Sequence, residues 1–326
     1  MEDDDESGAG EGPDPAEELC VVTGASGYLG RTLCSLLADQ GVKVLGVGRR
    51  EVATHGCSDF ICHDLAQEAV LTLPTGVTAV YHLAATAHTY ANSAQYRKVN
   101  VNGALRVANA AARAGADRLI YVSSVKASRA QNPTYAADGP ADSLDYGASK
   151  RLAEEELLTL CARHAMRLVI VRPALMYSSQ PPGHLALLRR WCRLRLPAPP
   201  DVGGRSMVSR EDVARLLTKL RNADNTPRTP ITITDGKKYS AARVHAAFNQ
   251  GANRRPLFGT PSIATWLLLA RAYERMRRVP AGSMVERLFG EELYTQSGLD
   301  DLGFSPELTL ELALGQARGQ ARGIVD

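Results

Sequence analysis

Residues 19–30 read Leu-Cys-Val-Val-Thr-Gly-Ala-Ser-Gly-Tyr-Leu-Gly, and the reading of this stretch decides the fold. Leu19 to Val22 is a short apolar run of the kind that forms a buried strand. Gly24, Gly27 and Gly30 follow at G-x-x-G-x-x-G spacing, and Leu33, Leu36 and Leu37 then recur at helical intervals. A strand, a glycine-rich turn and a helix in that order make a cradle for phosphate. The glycines let backbone approach the anion closely, and the first N–H groups of the helix point at it. Gly24, Ser26, Gly27, Tyr28, Leu29 and Gly30 are therefore candidates for holding the pyrophosphate of a dinucleotide.

The same rhythm continues downstream. Strands are expected at 42–47, 60–62, 79–83, 118–122 and 168–171, with helices at 30–40, 94–114 and 146–163. Strands alternating with helices at this spacing imply an α/β fold, a Rossmann-type doubly wound parallel sheet, over residues 18–175. From Met176 the rhythm breaks, and Pro181, Pro182, Pro197, Pro199 and Pro200 punctuate loops. Ser209-Arg-Glu-Asp212 opens a helix, Ile231-Thr-Ile-Thr234 is β-rich, and the remainder reads as mostly helical. Residues 176–326 are thus expected to form a smaller substrate lobe, some of whose segments return to the sheet. Residues 1–17, acidic and nearly free of large apolar side chains, read as a disordered tail.

Composition narrows the functional classes. With 44% hydrophobic and 22% charged residues, the 326-residue chain has an ordinary globular balance. No apolar run approaches bilayer length and no signal segment opens the chain, so a cytoplasmic protein without a transmembrane segment is expected. The six cysteines are scattered without a C-x-x-C pair, which argues against a disulfide framework or a zinc site. Cys57, Cys62 and His63 read as packing, and no metal is expected. The net charge of +3 is what remains after nine acidic residues, with no basic one, upstream of Leu19. The arginines of the basic body are spread over many segments, which speaks for anion pockets and against a nucleic-acid partner. Trp266-Leu-Leu-Leu-Ala270 with Arg271, Arg275, Arg277 and Arg278 is an amphipathic basic helix, read as packing or a subunit interface ahead of a membrane surface.

Two further sites refine the ligand. At the end of the second strand, where an acidic residue would hold ribose hydroxyls, the chain has Gly48-Arg49-Arg50. A guanidinium cannot accept from a hydroxyl, but it pairs with a 2′-phosphate, so NADP(H) is slightly favoured over NAD(H). Asp64 and Leu65, after the third strand, suit an adenine contact. Tyr146-Gly-Ala-Ser-Lys150 opens a helix, so Tyr146 and Lys150 share one face, and Ser123-Ser124 closes the strand before it. A phenol's ordinary pKa of about 10 is too high for a base near neutrality, and the Lys150 ammonium together with the positive charge of an oxidised nicotinamide is expected to lower it. Ser124, Tyr146 and Lys150 form the candidate catalytic centre, with Lys150 also on the nicotinamide ribose.

These pieces carry a family resemblance. Thr23-Gly-Ala-Ser-Gly-Tyr-Leu-Gly30, His82-Leu-Ala-Ala85, Asn100-Val-Asn-Gly103, Tyr121-Val-Ser-Ser124, Tyr146-x-x-x-Lys150 and Val171-Arg-Pro173 stand in the order of the extended short-chain dehydrogenases. The chain resembles their NAD(P)-dependent epimerase/dehydratase branch, which acts on nucleotide sugars, from about residue 19 to 316, ending with Leu302-Gly-Phe-Ser-Pro306. Through Ser123-Ser-Val-Lys126 and Gly204-Arg-Ser-Met-Val208 it is similar to bacterial UDP-hexose and UDP-N-acetylhexosamine 4-epimerases and 4-ketoreductases of surface-polysaccharide synthesis. The resemblance implies cofactor contacts from Leu83, Ala84, Ala85, Asn100, Tyr146 and Lys150. It implies substrate contacts from Thr86, His88, Ser124, Lys126 and Arg205, the last on a nucleotide phosphate, and a homodimer through the long helices beginning near Ala94 and Tyr146. Two departures matter. Met176-Tyr-Ser-Ser179 replaces the family's usual loop, and Val125-Lys126 stands where dehydratases carry an Asp-Glu pair, so dehydration is not expected.

Three functions stay open on sequence grounds. One is a UDP-sugar 4-epimerase, whose alternative within the same chemistry is an NADPH-dependent reductase of a UDP-4-keto sugar. A non-catalytic dinucleotide-binding scaffold or sensor is a second class. An oxidoreductase of a non-nucleotide substrate is the third.

Overall fold

The structure is a computed structural model and describes residues 18–50, 54–87, 92–129, 144–224, 227, 229–253, 255–257, 259–277, 285 and 289–315. The expected tail, 1–17, and His88 lie outside these residues. In chain order the first elements are β1 (Leu19–Thr23), α1 (Tyr28–Asp39), β2 (Lys43–Gly48), β3 (Asp59–Cys62), β4 (Val77–His82) and α2 (Ser93–Tyr96). A π-helical segment (Arg97–Val101) leads into α3 (Asn102–Arg113), β5 (Arg118–Val122), α4 (Lys126–Arg129), α5 (Tyr146–Arg163) and β6 (Arg167–Pro173). Then come β7 (Leu175–Tyr177), α6 (Gly183–Arg193), β8 (Gly204–Ser209), α7 (Arg210–Lys219), β9 (Ile231–Ile233) and β10 (Lys238–Tyr239). The last are α8 (Ala241–Ala252), α9 (Ile263–Arg277) and β11 (Glu291–Glu292).

β1 pairs in parallel with β2, from Leu19↔Lys43 to Thr23↔Val47, and with β4, from Cys20↔Ala79 to Thr23↔His82. The main sheet runs β3-β2-β1-β4-β5-β6-β9, every pair parallel. This is a Rossmann-type doubly wound sheet. Its strand order reverses between β1 and β4, so a crevice opens beyond their C-terminal ends.

Alternating side chains of β1 feed two cores. Cys20 and Val22 join Leu29, Leu33 and Leu37 of α1 and Val213, Leu216 and Leu217 of α7 on one face. Val21 joins Ala104, Val107 and Ala111 of α3 and Ala153 and Leu157 of α5 on the other. A strand fed from both sides has no polar face, which is why β1 is apolar throughout its middle. Each fully buried Leu or Val adds roughly 1.5–3 kcal/mol, and the two clusters hold the helices to the sheet.

The C-terminal lobe has its own core, in which Tyr177, Leu185, Cys192, Met207, Tyr239, Val244, Phe248 and Leu310 meet. β8 is its central strand, paired with β7, β10 and β11. Ser209 caps α7, its Oγ accepting the Asp212 N–H at 2.8 Å, as the Ser-x-x-Asp spacing implies. The buried Asp212 carboxylate then accepts the Leu308 N–H at 3.0 Å and tethers the end of the chain to α7.

One expectation needs revision. The helix expected from 94 to 114 is helical from Ser93 to Arg113 but is not one α-helix, because residues 97–101 form a π turn. A π turn takes in an extra residue and resets the faces that follow, and such bulges gather at working sites. Asn100 sits within it.

The glycine turn is packed against its own backbone. A Cβ on Gly30 would stand 2.2 Å from the Gly24 carbonyl oxygen and 2.7 Å from that of Ala25. Gly30→Ala is therefore expected to cost roughly 2–3 kcal/mol, read as a lower melting temperature, and to weaken dinucleotide binding in a fluorescence titration.

Candidate active site

Asp145 caps α5, its Oδ1 accepting the Ala148 N–H at 2.7 Å, so the helix starts at Tyr146. At 3.6 residues per turn, Tyr146, Lys150 and Glu154 then stack along one face. That face meets the C-terminal end of β5. The approach depends on Gly147, where a Cβ would stand 2.6 Å from the Lys126 carbonyl oxygen at the start of α4. Across this junction Ser124 hydrogen-bonds with the Tyr146 phenol, while its Oγ also accepts the Lys126 N–H at 3.2 Å. The Tyr96 ring lies 6.3 Å away, tilted against that of Tyr146. The structure thus brings Ser124, Tyr146 and Lys150 together beside the crevice.

Lys150 is only 1% exposed, and its Nζ lies 4.3 Å from the centre of the Tyr121 ring. The negative face of an aromatic ring attracts a cation, more strongly out of water. Tyr121 in turn stacks on His82 with centroids 5.6 Å apart, and His82 Nδ1 lies 2.7 Å from Thr23 Oγ1. Thr23, His82 and Tyr121 are register neighbours on β1, β4 and β5, so the sheet itself aligns this column. One turn further along α5, the buried Glu154 carboxylate accepts from Ser123 Oγ at 2.5 Å and from Arg172 Nε at 2.9 Å. Arg172 Nη2 closes a two-pronged pair with the same carboxylate.

Burial sets the proton affinities here. It pushes Lys150 down to about 7, with the Glu154 charge opposing. It holds His82 down to about 3, and the Lys150 charge adds to that, so His82 is neutral. Tyr146 is pushed up to about 12, again by burial first, against the Ser124 hydrogen bond and together with Tyr96. The protein's own groups thus raise the phenol, and the expected lowering rests on the nicotinamide's charge. The Lys150 ammonium faces the Tyr121 ring, and desolvation leads the causes at the phenol.

On the dinucleotide side, Gly24 has φ +71, and a Cβ there would stand 3.0 Å from the Ala84 amide nitrogen. Gly27 caps α1 with no side-chain hydrogen bond, and no acidic residue enters its first turn. The helix therefore offers its first N–H groups and positive end to an anion, and the residues present fit a bound pyrophosphate. Ser26 and Leu29 belong to this turn, and the Tyr28 ring lies 5.0 Å beneath the Arg210 guanidinium of the lobe. Arg49 and Arg50 are both exposed at the end of β2. Asp64 Oδ1 accepts the Ala66 N–H at 2.9 Å, shaping the turn that carries buried Leu65. The Leu83 and Ala84 amides face Thr23 at 3.3 and 3.4 Å, and Ala85 follows them at the crevice. Asn100 is a positioning group: its Oδ1 accepts the Thr86 N–H at 2.8 Å, and Nδ2 donates to Thr86 O and to Ser149 Oγ.

On the substrate side, Thr86 is held by Asn100, Lys126 is exposed, and Arg205 pairs with Glu292, its β11 neighbour in register. Sequence reading missed Gly147, Glu154, the Tyr121–His82 column and Glu292. Extending the Tyr146–Lys150 interval by four residues reaches Glu154, whereas nothing in the sequence marks Glu292 as the partner of Arg205.

Residues 20–226 match the model of the NAD dependent epimerase/dehydratase family. The chain belongs to that family. It is 28% identical over 238 residues to the UDP-glucose 4-epimerase of Vibrio cholerae, covering 69% of this chain and 73% of the relative. It is 33% identical over 183 residues to a 2-alkyl-3-oxoalkanoate reductase of Stenotrophomonas maltophilia, about half of each chain (52% and 53%). Among solved structures, MoeE5 in complex with UDP-glucose and NAD has the same fold, with a TM-score of 0.69 at 22% identity over 94% of this chain and 99% of that one. The family is one of NAD-dependent enzymes, and Tyr146 and Lys150 stand within the matched residues.

The depressed Lys150 has a consequence for stability. A lysine whose folded pKa lies below its unfolded value destabilises the fold fully below about 7 and progressively less as pH rises toward its unfolded value. Lys150→Met is expected to melt higher than wild type at about pH 6, with the gap closing toward about pH 10 in a calorimetric series.

Proposed function

We propose that the chain moves a hydride and a proton at C4 of a UDP-linked sugar, as a 4-epimerase. The observation that carries the reading is the convergence of Ser124, Tyr146 and Lys150 beside the crevice between β1 and β4. Its support is the likeness to a UDP-glucose 4-epimerase and to a fold seen with UDP-glucose and NAD. Gly24 to Gly30 would hold the pyrophosphate of the dinucleotide, with Arg49, Arg50, Asp64 and Leu65 toward its adenosine end. Leu83, Ala84, Ala85 and Lys150 would lie along its nicotinamide half. The nicotinamide, when bound, supplies a hydride acceptor and donor.

The remaining chemistry belongs to side chains. Tyr146 would exchange the proton of the sugar's 4-hydroxyl, with Ser124 holding the same oxygen by a hydrogen bond. A phenol pushed up to about 12 is a poor base alone, and a cationic ring beside it would bring it into a working range. Thr86, His88 and Lys126 would face the sugar, and Arg205 would meet the diphosphate by sharing or exchanging its pair with Glu292. Val125 and Lys126 supply no carboxylic acid/base pair, so water would not be eliminated. The same proposal has a cytoplasmic enzyme that works as a homodimer through α3 and α5.

A second reading is favoured by one observation. Arg49 and Arg50 follow β2 directly and are exposed, which suits the 2′-phosphate of NADP(H) and an enzyme that reduces a UDP-4-keto sugar. Incubation with a UDP-hexose and no added cofactor separates the two. Appearance of the 4-epimer without an absorbance change at about 340 nm supports the epimerase. No epimer, together with NADPH consumption on a 4-keto sugar, supports the reductase.

Tyr146→Phe is expected to lower kcat by about 100-fold or more while leaving dinucleotide affinity within a factor of about three. Unchanged turnover in that variant would remove Tyr146 from the chemistry.

A further inference from the structure

Helix α9 buries a narrow stripe, Trp266, Ala270 and Glu274, and Trp266 packs its ring 5.4 Å from that of Trp191 on α6. Its solvent face is not polar. Leu268 is 69% exposed and Met276 74%, with exposed Ala272 between them at four-residue spacing. Leu269, half exposed, flanks this line on one side, and exposed Arg271 and Arg275, also four apart, flank it on the other. A helix resting on a protein core turns its Leu and Met inward and its charges out. α9 carries large apolar side chains outward as well, and that outer line is unexplained by packing within the described chain.

Among the described residues of α6, α9 and the segments beside them, the exposed charges are arginines. α6 and the turn after it expose Arg190, Arg193 and Arg195, and exposed Arg255 lies alongside. Arg195 Nε donates to the Arg255 carbonyl at 3.0 Å and Leu257 N–H to that of Arg195 at 2.9 Å. These bonds join the two segments, each of which exposes a further leucine, Leu194 and Leu257. Residues 181–200 and 251–279 together contain ten arginines and a single acid, Glu274, which is buried.

We infer that this face of the C-terminal lobe seats the protein on an anionic lipid surface. Leu268, Leu269 and Met276 enter the boundary between headgroups and acyl chains, and the arginines beside them meet lipid phosphates. Charge complementarity selects this occupant. A second copy of the same face would oppose arginine to arginine with no exposed acid among the described residues of 181–200 and 251–277 to pair. A nucleic acid would take up the arginines and leave the apolar line in water. Among the described residues no helix is long and apolar enough to cross a membrane, so the association is peripheral. The inference does not depend on the chemistry proposed for Tyr146, and its test does not use it.

The test is co-sedimentation of the full chain with vesicles of phosphatidylcholine, alone or mixed with phosphatidylglycerol. Wild type is expected to pellet with the anionic vesicles, to bind the neutral ones weakly, and to be released as salt rises. Two double variants at exposed positions, L268E/M276E and R271E/R275E, are each expected to lose at least about tenfold in apparent affinity while keeping the wild-type circular dichroism and melting temperature. The inference is overturned if wild type ignores anionic vesicles, or if folded variants bind them as wild type does. It is equally overturned if wild type binds no vesicles and instead forms a dimer that L268E/M276E dissolves in light scattering, or retains RNA.

Discussion

An ammonium group taken out of water loses hydration worth several kcal/mol, and Lys150 is almost wholly out of water. What holds it there is the sheet. β1, β4 and β5 set Thr23, His82 and Tyr121 in one register row, and the last of these turns its ring to the ammonium. Behind it, Glu154 lends negative charge while Ser123 and Arg172 satisfy its oxygens. Fixing Lys150 fixes the turn of α5 that carries it, and with it Tyr146 against Ser124. A buried cation with partial compensation is a burden on folding that a working site retains for its function.

Much of this was legible in the sequence because local rules specify it. The cap at Asp145 and the Tyr146–Lys150 interval place α5 correctly, with ends at Tyr146 and Arg163. β1 and the glycine turn are largely local, since Gly27 and Gly30 answer backbone contacts within the same segment, and only Gly24 answers one from across the sheet, at Ala84. What was not legible is long-range. The π turn at Arg97–Val101 follows from where Asn100 must reach, toward Thr86 and Ser149, and no periodicity announces it. The burial that raises Tyr146 is equally hidden, because a sequence shows that a lysine is near but not how dry the site is. The pairing of Arg205 with Glu292 joins two strands of a small sheet that have no sequence signature as neighbours.

Arginine serves three settings in this chain, and solvent exposure separates them. Arg172 is buried and bidentate on Glu154, where its task is structural. Arg205 is half-sheltered and paired with Glu292 across β8 and β11. Arg190 and Arg193 of α6 and Arg271 and Arg275 of α9 are exposed on helices that also expose apolar side chains. The same residue type thus supports a core, a strand-to-strand pair in the small sheet and, in the proposal above, a docking face, in order of increasing contact with water.

The central claim is that burial against Tyr121 governs the charge of Lys150. Its most direct test is a pH titration of the ε-carbon resonance of Lys150 in protein labelled with ¹³C-lysine. The account predicts a midpoint near 7, set apart from every exposed lysine. A midpoint at the ordinary lysine value of about 10 would contradict it.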